Sequence, residues 1–448
     1  MIKEQSSFRD PEATLMYDDA HYYRTLSTTY AEEHYTNFKA SGLKGALLNQ
    51  GCILPFEEIA EQGNVVLKTE KLSFVSYPYE WSFSQFKTAA LFTLKINLIA
   101  LEHGMVLKDA SMFNVQFVGS TPVFIDLSSF EVYKEDKPWI AYYQFCKHFY
   151  APLFLGAKKN LHLPKLLLYF IDGIPLKEAV SLCRMSDFFN LGAFMHLYLH
   201  SKGEGSVNKT GVEKKVTKKQ LIDLCTHLSD SIESLKPKQK KTVWDDYNQN
   251  NNYVEGSKDN KAEIIKEFME QIPHCKMAMD IGANDGMYSK LFSENKIYTL
   301  VVDIDELAIE RAFVENNKLQ NTFLHPLHIN LANPTPAIGW NNVERKSFWE
   351  RCNVGVIQAL AVVHHLAITH DISFEEIASK LAKHTQHLII EFVYPDDSQT
   401  QILLNNKPHH NSDYNQLNFE KAFNLFFDLK EKVTIDGMKR DLYFYETK

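Results

Sequence analysis

The sequence predicts an α/β protein of two domains. A doubly wound, mostly parallel sheet fills the second half, and an α+β, largely helical domain precedes it. Three observations carry this. Apolar runs ending in acids alternate with helix-like segments from Met277 onward, and Met277-Ala278-Met279-Asp280 and Leu300-Val301-Val302-Asp303 lie about one βα unit apart. The chain finishes in two extended runs, Lys432–Ile435 and Asp441–Tyr445, whose short connection through Gly437 reads as an antiparallel hairpin. Between the halves, residues 201–243 shift to lysines interspersed with Gly203, Gly205 and Gly211, the composition of a boundary.

Bulk properties narrow the classes. A length of 448 residues suits two to three domains, and 45% hydrophobic content can fill sizeable cores. A net charge of −8 argues against a general nucleic-acid binder. The six cysteines form no CxxC pair, which argues against a zinc site or a disulfide framework and for a reducing compartment. The first residues lack the apolar core of a signal peptide, and no run approaches the roughly 18 apolar residues of a membrane span. The expectation is a cytoplasmic protein with no metal site, no membrane partner and no nucleic-acid partner.

The first domain is expected over 1–200. Residues 1–45, with Tyr17, Tyr22, Tyr23, Tyr30 and Tyr35, read as helical packing. Cys52–Pro55 and Val65–Lys68 read as short strands. Phe74–Trp81 is extended, and Pro78 keeps it off a sheet centre. Ser82 or Ser84 caps a long helix to about Glu102, with Phe86, Ala89, Ala90, Leu94, Ile96, Leu98 and Leu101 on a broad buried face. Asp109-x4-Asn114 then precedes a strand, a turn and Pro122–Leu127, which contains Asp126. Residues 138–200 are apolar and aromatic, and their histidines share no metal spacing. A linker with one helix is expected over 201–243. Its lysines lack interleaved aromatics, so they read as a solvated face.

The Asp109, Asn114 and Asp126 series resembles the catalytic loop and metal-binding segment of protein-kinase-like and aminoglycoside-phosphotransferase-like folds. That resemblance implies a proton-accepting Asp109, with Asn114 and Asp126 holding magnesium for ATP. Lys68 is the nearest candidate for the nucleotide-pairing lysine. The sequence departs from the pattern. No glycine-rich loop precedes Lys68, and Leu127-Ser128 follows Asp126. Three readings stay open: a degenerate kinase-like scaffold binding a substrate or partner protein, an active phosphotransferase, or an unrelated unit whose Asp109 and Asn114 do turn chemistry.

The second domain is expected over 244–448, entered through Trp244–Tyr247 and Asn250–Tyr253 and a helix over 261–270. After Asp280 comes Ile281-Gly282-Ala283-Asn284-Asp285-Gly286. Gly282 and Gly286 allow a tight turn and close approach to a ligand. The loop lacks the Gly-Lys-Ser/Thr of a phosphate cradle and the third glycine of a dinucleotide loop. Its acid would repel pyrophosphate and suits a ligand with a cationic or zwitterionic end. Asp303, followed by Ile304, stands where an acid binds vicinal ribose hydroxyls. Further strands are expected at Phe323–Asn330, Val354–Ala361 and Leu388–Val393, with helices over 306–317 and 419–429. His364 and His365 follow the fourth strand at its carboxyl end, where active residues gather. Either is a candidate base, or one simply caps the next helix. Glu391 would orient a histidine or substrate, or serve as an ion-pair partner. Asp396 and Asp397 read as loop solvation.

The Asp-x-Gly-x-Asn-x-Gly string resembles the first motif of class I S-adenosylmethionine-dependent methyltransferases, which have a Rossmann-like sheet. The resemblance implies that Asp280, Gly282, Asn284 and Gly286 face the methionine part, Asp303 and Ile304 the ribose side, Asn330 the adenine, and Tyr253 a lid. A closer resemblance spans nearly the whole chain. It rests on Ser76–Phe83, Leu107–Ser111, Gly339-Trp340 with Glu344-Arg345, Val363–Ile368, and Glu391-Phe392 with Asp397–Gln399. These strings resemble the bacterial methyltransferase-like family that includes the nodulation protein NoeA. What it implies is a methyltransferase using S-adenosylmethionine on a carbohydrate or other small-molecule hydroxyl. The alternatives are ATP- and magnesium-dependent phosphotransfer through the first domain, and a non-catalytic binding protein.

Overall fold

The computed structural model describes residues 1–61, 64–203, 215–238, 257–410 and 412–448. The chain divides into two units, one of Met1–Lys240 with Ala337–Lys346, the other of Lys241–Pro336 with Ser347–Lys448.

In the first unit, β1 (Ile2–Lys3), β2 (Ala13–Tyr17), β3 (His21–Leu26), β4 (Phe56–Glu61) and β5 (Asn64–Glu70) form an antiparallel sheet of order β1-β2-β3-β5-β4. Helices Thr29–Ala40 and Leu43–Asn49 lie between β3 and β4. The expected helical packing over 1–45 is therefore half wrong, because residues up to Leu26 are mainly strand. The reason is local. Asp18 Oδ1 accepts the N–H groups of Ala20 and His21 at 2.8 and 2.7 Å, and this turn joins two Tyr- and Thr-rich runs suited to a pleated surface.

Ser82 caps the helix Phe83–Glu102 as expected, in a reciprocal box with Gln85. Three short strands frame the Asp109 loop: β6 (Met105–Leu107), β7 (Val115–Val118) and β8 (Thr121–Phe124). β9 (Phe130–Val132) pairs with β6, and β7 with β8. The helix expected in a linker, Lys218–Glu233, belongs to this first unit. Its Leu221, Cys225, Leu228 and Ile232 are buried, and it packs along Phe83–Glu102. Cys52–Pro55 is not a strand. Only an isolated bridge from Ile53 to Phe124 forms there.

In the second unit, Ser257–Glu270 lays Lys261, Ile264, Ile265 and Phe268 on its buried face. β10 (Met277–Ile281), β11 (Tyr298–Asp303), β12 (Leu324–His328), β13 (Val354–Ala359) and β14 (Thr385–Val393) are mutually parallel. The near-continuous apolar runs of β11, β13 and β14 suit strands covered on both faces. β15 (Phe427–Thr434) and β16 (Arg440–Thr447) close the sheet antiparallel, giving the order β12-β11-β10-β13-β14-β16-β15. In sequence terms this is 3-2-1-4-5-7-6, a parallel sheet closed by an antiparallel hairpin. The helix expected over 419–429 is shorter, Gln416–Phe423, because β15 begins at Phe427. Between β12 and β13 the chain leaves this unit, and residues 337–346 pack in the first. There the Lys346 N–H donates to Tyr77 Oη at 3.1 Å, and the Arg345 guanidinium stacks over Phe113 at 4.1 Å.

Among the described residues, no helix is long and apolar enough to cross a membrane.

Candidate active site

The carboxyl end of β10 turns through Gly282 at φ +70°, Asn284 at +53° and Gly286 at +79°. A Cβ on Gly282 would stand 2.6 Å from Val362 Cγ2, so the position excludes a side chain twice over. The loop is stapled to β11. The Gly282 and Ala283 N–H groups donate to Val302 O at 2.9 and 3.1 Å, and the Asn284 N–H donates to Asp303 Oδ2 at 2.7 Å. Asp303 Oδ1 accepts from the Asp305 N–H at 2.7 Å. Four of the expected residues, Gly282, Asn284, Gly286 and Asp303, are thus gathered at adjacent strand ends.

Asp280 is buried. Its Oδ2 accepts from Ser289 Oγ at 2.6 Å, while Oδ1 has no partner of good geometry among the described residues. Burial pushes its carboxyl up to about 6, partly offset by Ser289, Gln358 and Lys261 and reinforced by the Asp303 charge. Burial also pushes Asp303 up to about 6, against the N–H groups of Asp305, Asn284 and Ile304 that favour its charged form. Ile304 leaves its side chain exposed beside Asp303. Asn330 Oδ1 is taken by the Ala332 N–H at 2.9 Å. Tyr253 lies outside the described residues.

His364 is buried and its ring centroid lies 4.1 Å from that of His365. Burial, then the neighbouring His365 and Arg440, hold His364 well below the ordinary imidazole value. Burial lowers His365 to about 4. Both are neutral at neutral pH and can accept a proton, with low basicity.

Glu391 is not placed as a base. Its Oε2 meets Lys261 Nζ at 2.5 Å and its Oε1 meets Arg440 Nη1 at 3.2 Å. Burial alone would raise its carboxyl, but the two cations outweigh burial and hold it below the ordinary value. Arg440 also reaches Asp397 at 3.4 Å, and Asp397 caps the helix Ser398–Asn406 through the Gln399 and Thr400 N–H groups. The reading of Asp397 as loop solvation is therefore corrected, whereas Asp396 is exposed and pairs with Lys439.

Sequence reasoning missed Lys261. The signal was present, since a lysine occupies the apolar stripe with Ile264, Ile265 and Phe268. Arg440 gave no such signal.

In the first unit, Asp109, Asn114 and Asp126 do come together. Asn114 Nδ2 donates to Ser129 Oγ at 3.1 Å, and Ser129 Oγ donates to Asp126 Oδ2 at 2.5 Å. Asp109 accepts from Gln144 Nε2 at 2.6 Å and the Ser111 N–H at 2.9 Å. Burial and then the Asp126 charge raise its carboxyl. Lys68 does not join them. It sits on β5 opposite Glu57 and Tyr23, and its ammonium meets Glu57 at 3.5 Å. Adjacent residues on a strand face opposite ways, so Arg24, paired with Leu67, presents the other face. Arg24 Nη1 reaches Asp126 Oδ1 at 2.9 Å. The cation at Asp126 is Arg24.

No family model matches the chain. It is similar to the nodulation protein NoeA of Rhizobium meliloti (strain 1021), with 31% identity over 98% of this chain and 95% of that protein. Among solved structures, N-methyltransferase NodS from Bradyrhizobium japonicum WM9 is 11% identical, with a TM-score of 0.32 over 43% of this chain and 96% of that one. The bifunctional kinase-methyltransferase WbdD is 13% identical, with a TM-score of 0.32 over 44% of this chain and 42% of that one.

Proposed function

The chain belongs to the family of the nodulation protein NoeA, and from that premise we propose that it is a methyltransferase taking its methyl group from S-adenosylmethionine. The observation that carries the reading is the Gly282 loop held by its Asn284 N–H on Asp303, with the buried, half-satisfied Asp280 beneath it. The cradle fits the cofactor. The buried Asp280 has an acceptor oxygen to offer an ammonium group, and the positive-φ turn at Gly282 and Gly286 keeps backbone, not side chains, along the loop.

When bound, the cofactor would supply an electrophilic methyl carried on a sulfonium. The chain's own part is alignment and proton handling. Asp303 holds the loop and presents a carboxylate at the ribose position. Asp280 favours the cationic end of an amino acid. The neutral His364 and His365 suit an acceptor hydroxyl, whose proton must leave as the new bond forms. We read the acceptor as a small molecule or glycan bearing such a hydroxyl. The Glu391 network positions elements and takes no proton.

We read the first unit as kinase-like. What supports this is the sheet order β1-β2-β3-β5-β4 with helices between β3 and β4, followed by the loop joining Asp109, Asn114 and Asp126. Both oxygens of Asp126 already have partners, Oδ1 in Arg24 and Ser128, Oδ2 in Ser129. That favours a scaffold recognising the acceptor or a partner protein over ATP- and magnesium-dependent phosphotransfer.

Calorimetric titration with S-adenosylmethionine and S-adenosylhomocysteine, beside ATP plus magnesium, tests both readings. Saturable binding of the first two that Asp303→Ala abolishes supports the methyltransferase site. ATP binding alone, lost in Asp126→Ala, would move the function to the first unit.

A further inference from the structure

In the second unit, two loops that follow the carboxyl ends of β13 and β14 converge on one carboxylate. Asp371 follows the helical turn His365–Thr369 and holds φ +56°, a conformation aspartate tolerates. His409 and His410 lie in the turn Pro408–His410 beyond the helix Ser398–Asn406. His409 Nε2 stands 3.2 Å and His410 Nε2 2.7 Å from the same oxygen, Asp371 Oδ1. One nitrogen from each imidazole and one carboxylate oxygen lie within 4.8 Å of one another.

The surroundings hold this arrangement. Lys407 donates to Thr369 O at 3.1 Å and its ammonium pairs with Asp371 Oδ2, which leaves Oδ1 as the oxygen turned to the histidines. The turn is anchored from behind. The Tyr414 N–H donates to His410 O at 2.9 Å, and buried Tyr414 stacks on Phe392 of β14, its hydroxyl donating to Val393 O at 2.7 Å.

Surface stability is a weak reason for such convergence. Exposed ion pairs contribute little to stability, and ordering three side chains costs rotamer entropy of similar size. We propose that Asp371, His409 and His410 form a binding site for a divalent transition-metal ion of the zinc or cobalt class. Two imidazoles and a carboxylate are the donor set such ions prefer. The Lys407 ammonium on Oδ2 then acts as the outer partner that keeps the carboxylate monodentate. With side-chain exposures of 50% for Asp371 and 64% for His409, the site is open on one side, so a water or an oxygen of another molecule can complete the coordination.

The test uses the full-length protein titrated with Co2+ alone and read by visible d–d absorption. The expected result is one equivalent giving a saturable band that added Zn2+ displaces. Asp371→Ala and His410→Ala should each weaken Co2+ binding by about 100-fold or more, since losing even an outer partner costs 10–100-fold. His387→Ala, a histidine of β14 outside the cluster, should leave the band unchanged. Circular dichroism melting confirms that the variants fold. A band that persists unchanged in the folded Asp371→Ala and His410→Ala proteins, or no band in the parent, overturns the proposal.

Discussion

Lys261 and Glu391, 130 residues apart in sequence, form an ion pair at 2.5 Å with both side chains essentially removed from solvent, at 1% and 0% exposure. It ties the entry helix to β14, and Arg440 extends it to β16. Removing Lys261 leaves the buried Glu391 with Arg440 alone and one oxygen stripped of its charged donor, which costs about 2–3 kcal/mol. Lys261→Met should therefore lower unfolding stability by that order in urea titration. A loss under 1 kcal/mol would show that the pair is solvated in the native protein.

Gly282→Ala should weaken S-adenosylmethionine binding and stability together. Positive φ and the 2.6 Å approach to Val362 act at once, and such strain costs on the order of 1–3 kcal/mol. Adding Val362→Ala should restore part of the loss, because it relieves the clash and not the backbone conformation. Calorimetry on the two single variants and the double variant measures this coupling. Strict additivity would mean that the clash is relaxed elsewhere.

Much of this arrangement was legible. The helix from Ser82, the parallel strands and the Gly282 loop follow from capping, apolar runs and glycine placement, all of them short-range signals. What stayed hidden depends on pairing. The strands before Leu26 required recognising the Asp18 turn. The cation at Asp126 could not be read, because strand register decides that Arg24 and Lys68 face opposite ways. Likewise Glu391 looked chemically available until the fold brought Lys261 and Arg440 onto its two oxygens.

That register yields a contrast between two cations. Arg24→Gln removes an ion pair at 2.9 Å whose partners are 15% and 17% exposed, leaving Asp126 with its two serines. The expected cost is about 2 kcal/mol. Lys68→Gln removes a contact at 3.5 Å to Glu57, itself 65% exposed, and should change stability by no more than about 0.5 kcal/mol. Chemical denaturation of both variants checks the ordering, and a reversed order would reject the assignment of Arg24.

The two acids of the cofactor site give a pH signature whose sign is fixed by burial. Asp280 and Asp303 are each raised from 3.8 to about 6 in the folded chain, so between those values the folded state holds more protons than the unfolded state. Their contribution to stability is fully present below about pH 4 and is lost as pH rises through 6, on the order of 2–3 kcal/mol each. Binding of a ligand with a cationic end runs the other way, because it needs the charged form of Asp280. Affinity for S-adenosylmethionine should therefore rise from pH 5 to pH 7 with proton release, while the stability these acids supply falls. Asp280→Asn should flatten the binding profile and stabilise the unliganded protein at pH 7. Calorimetry in buffers of different ionisation enthalpy reads the released protons directly. An affinity independent of pH across this window would remove Asp280 from the cofactor's ammonium.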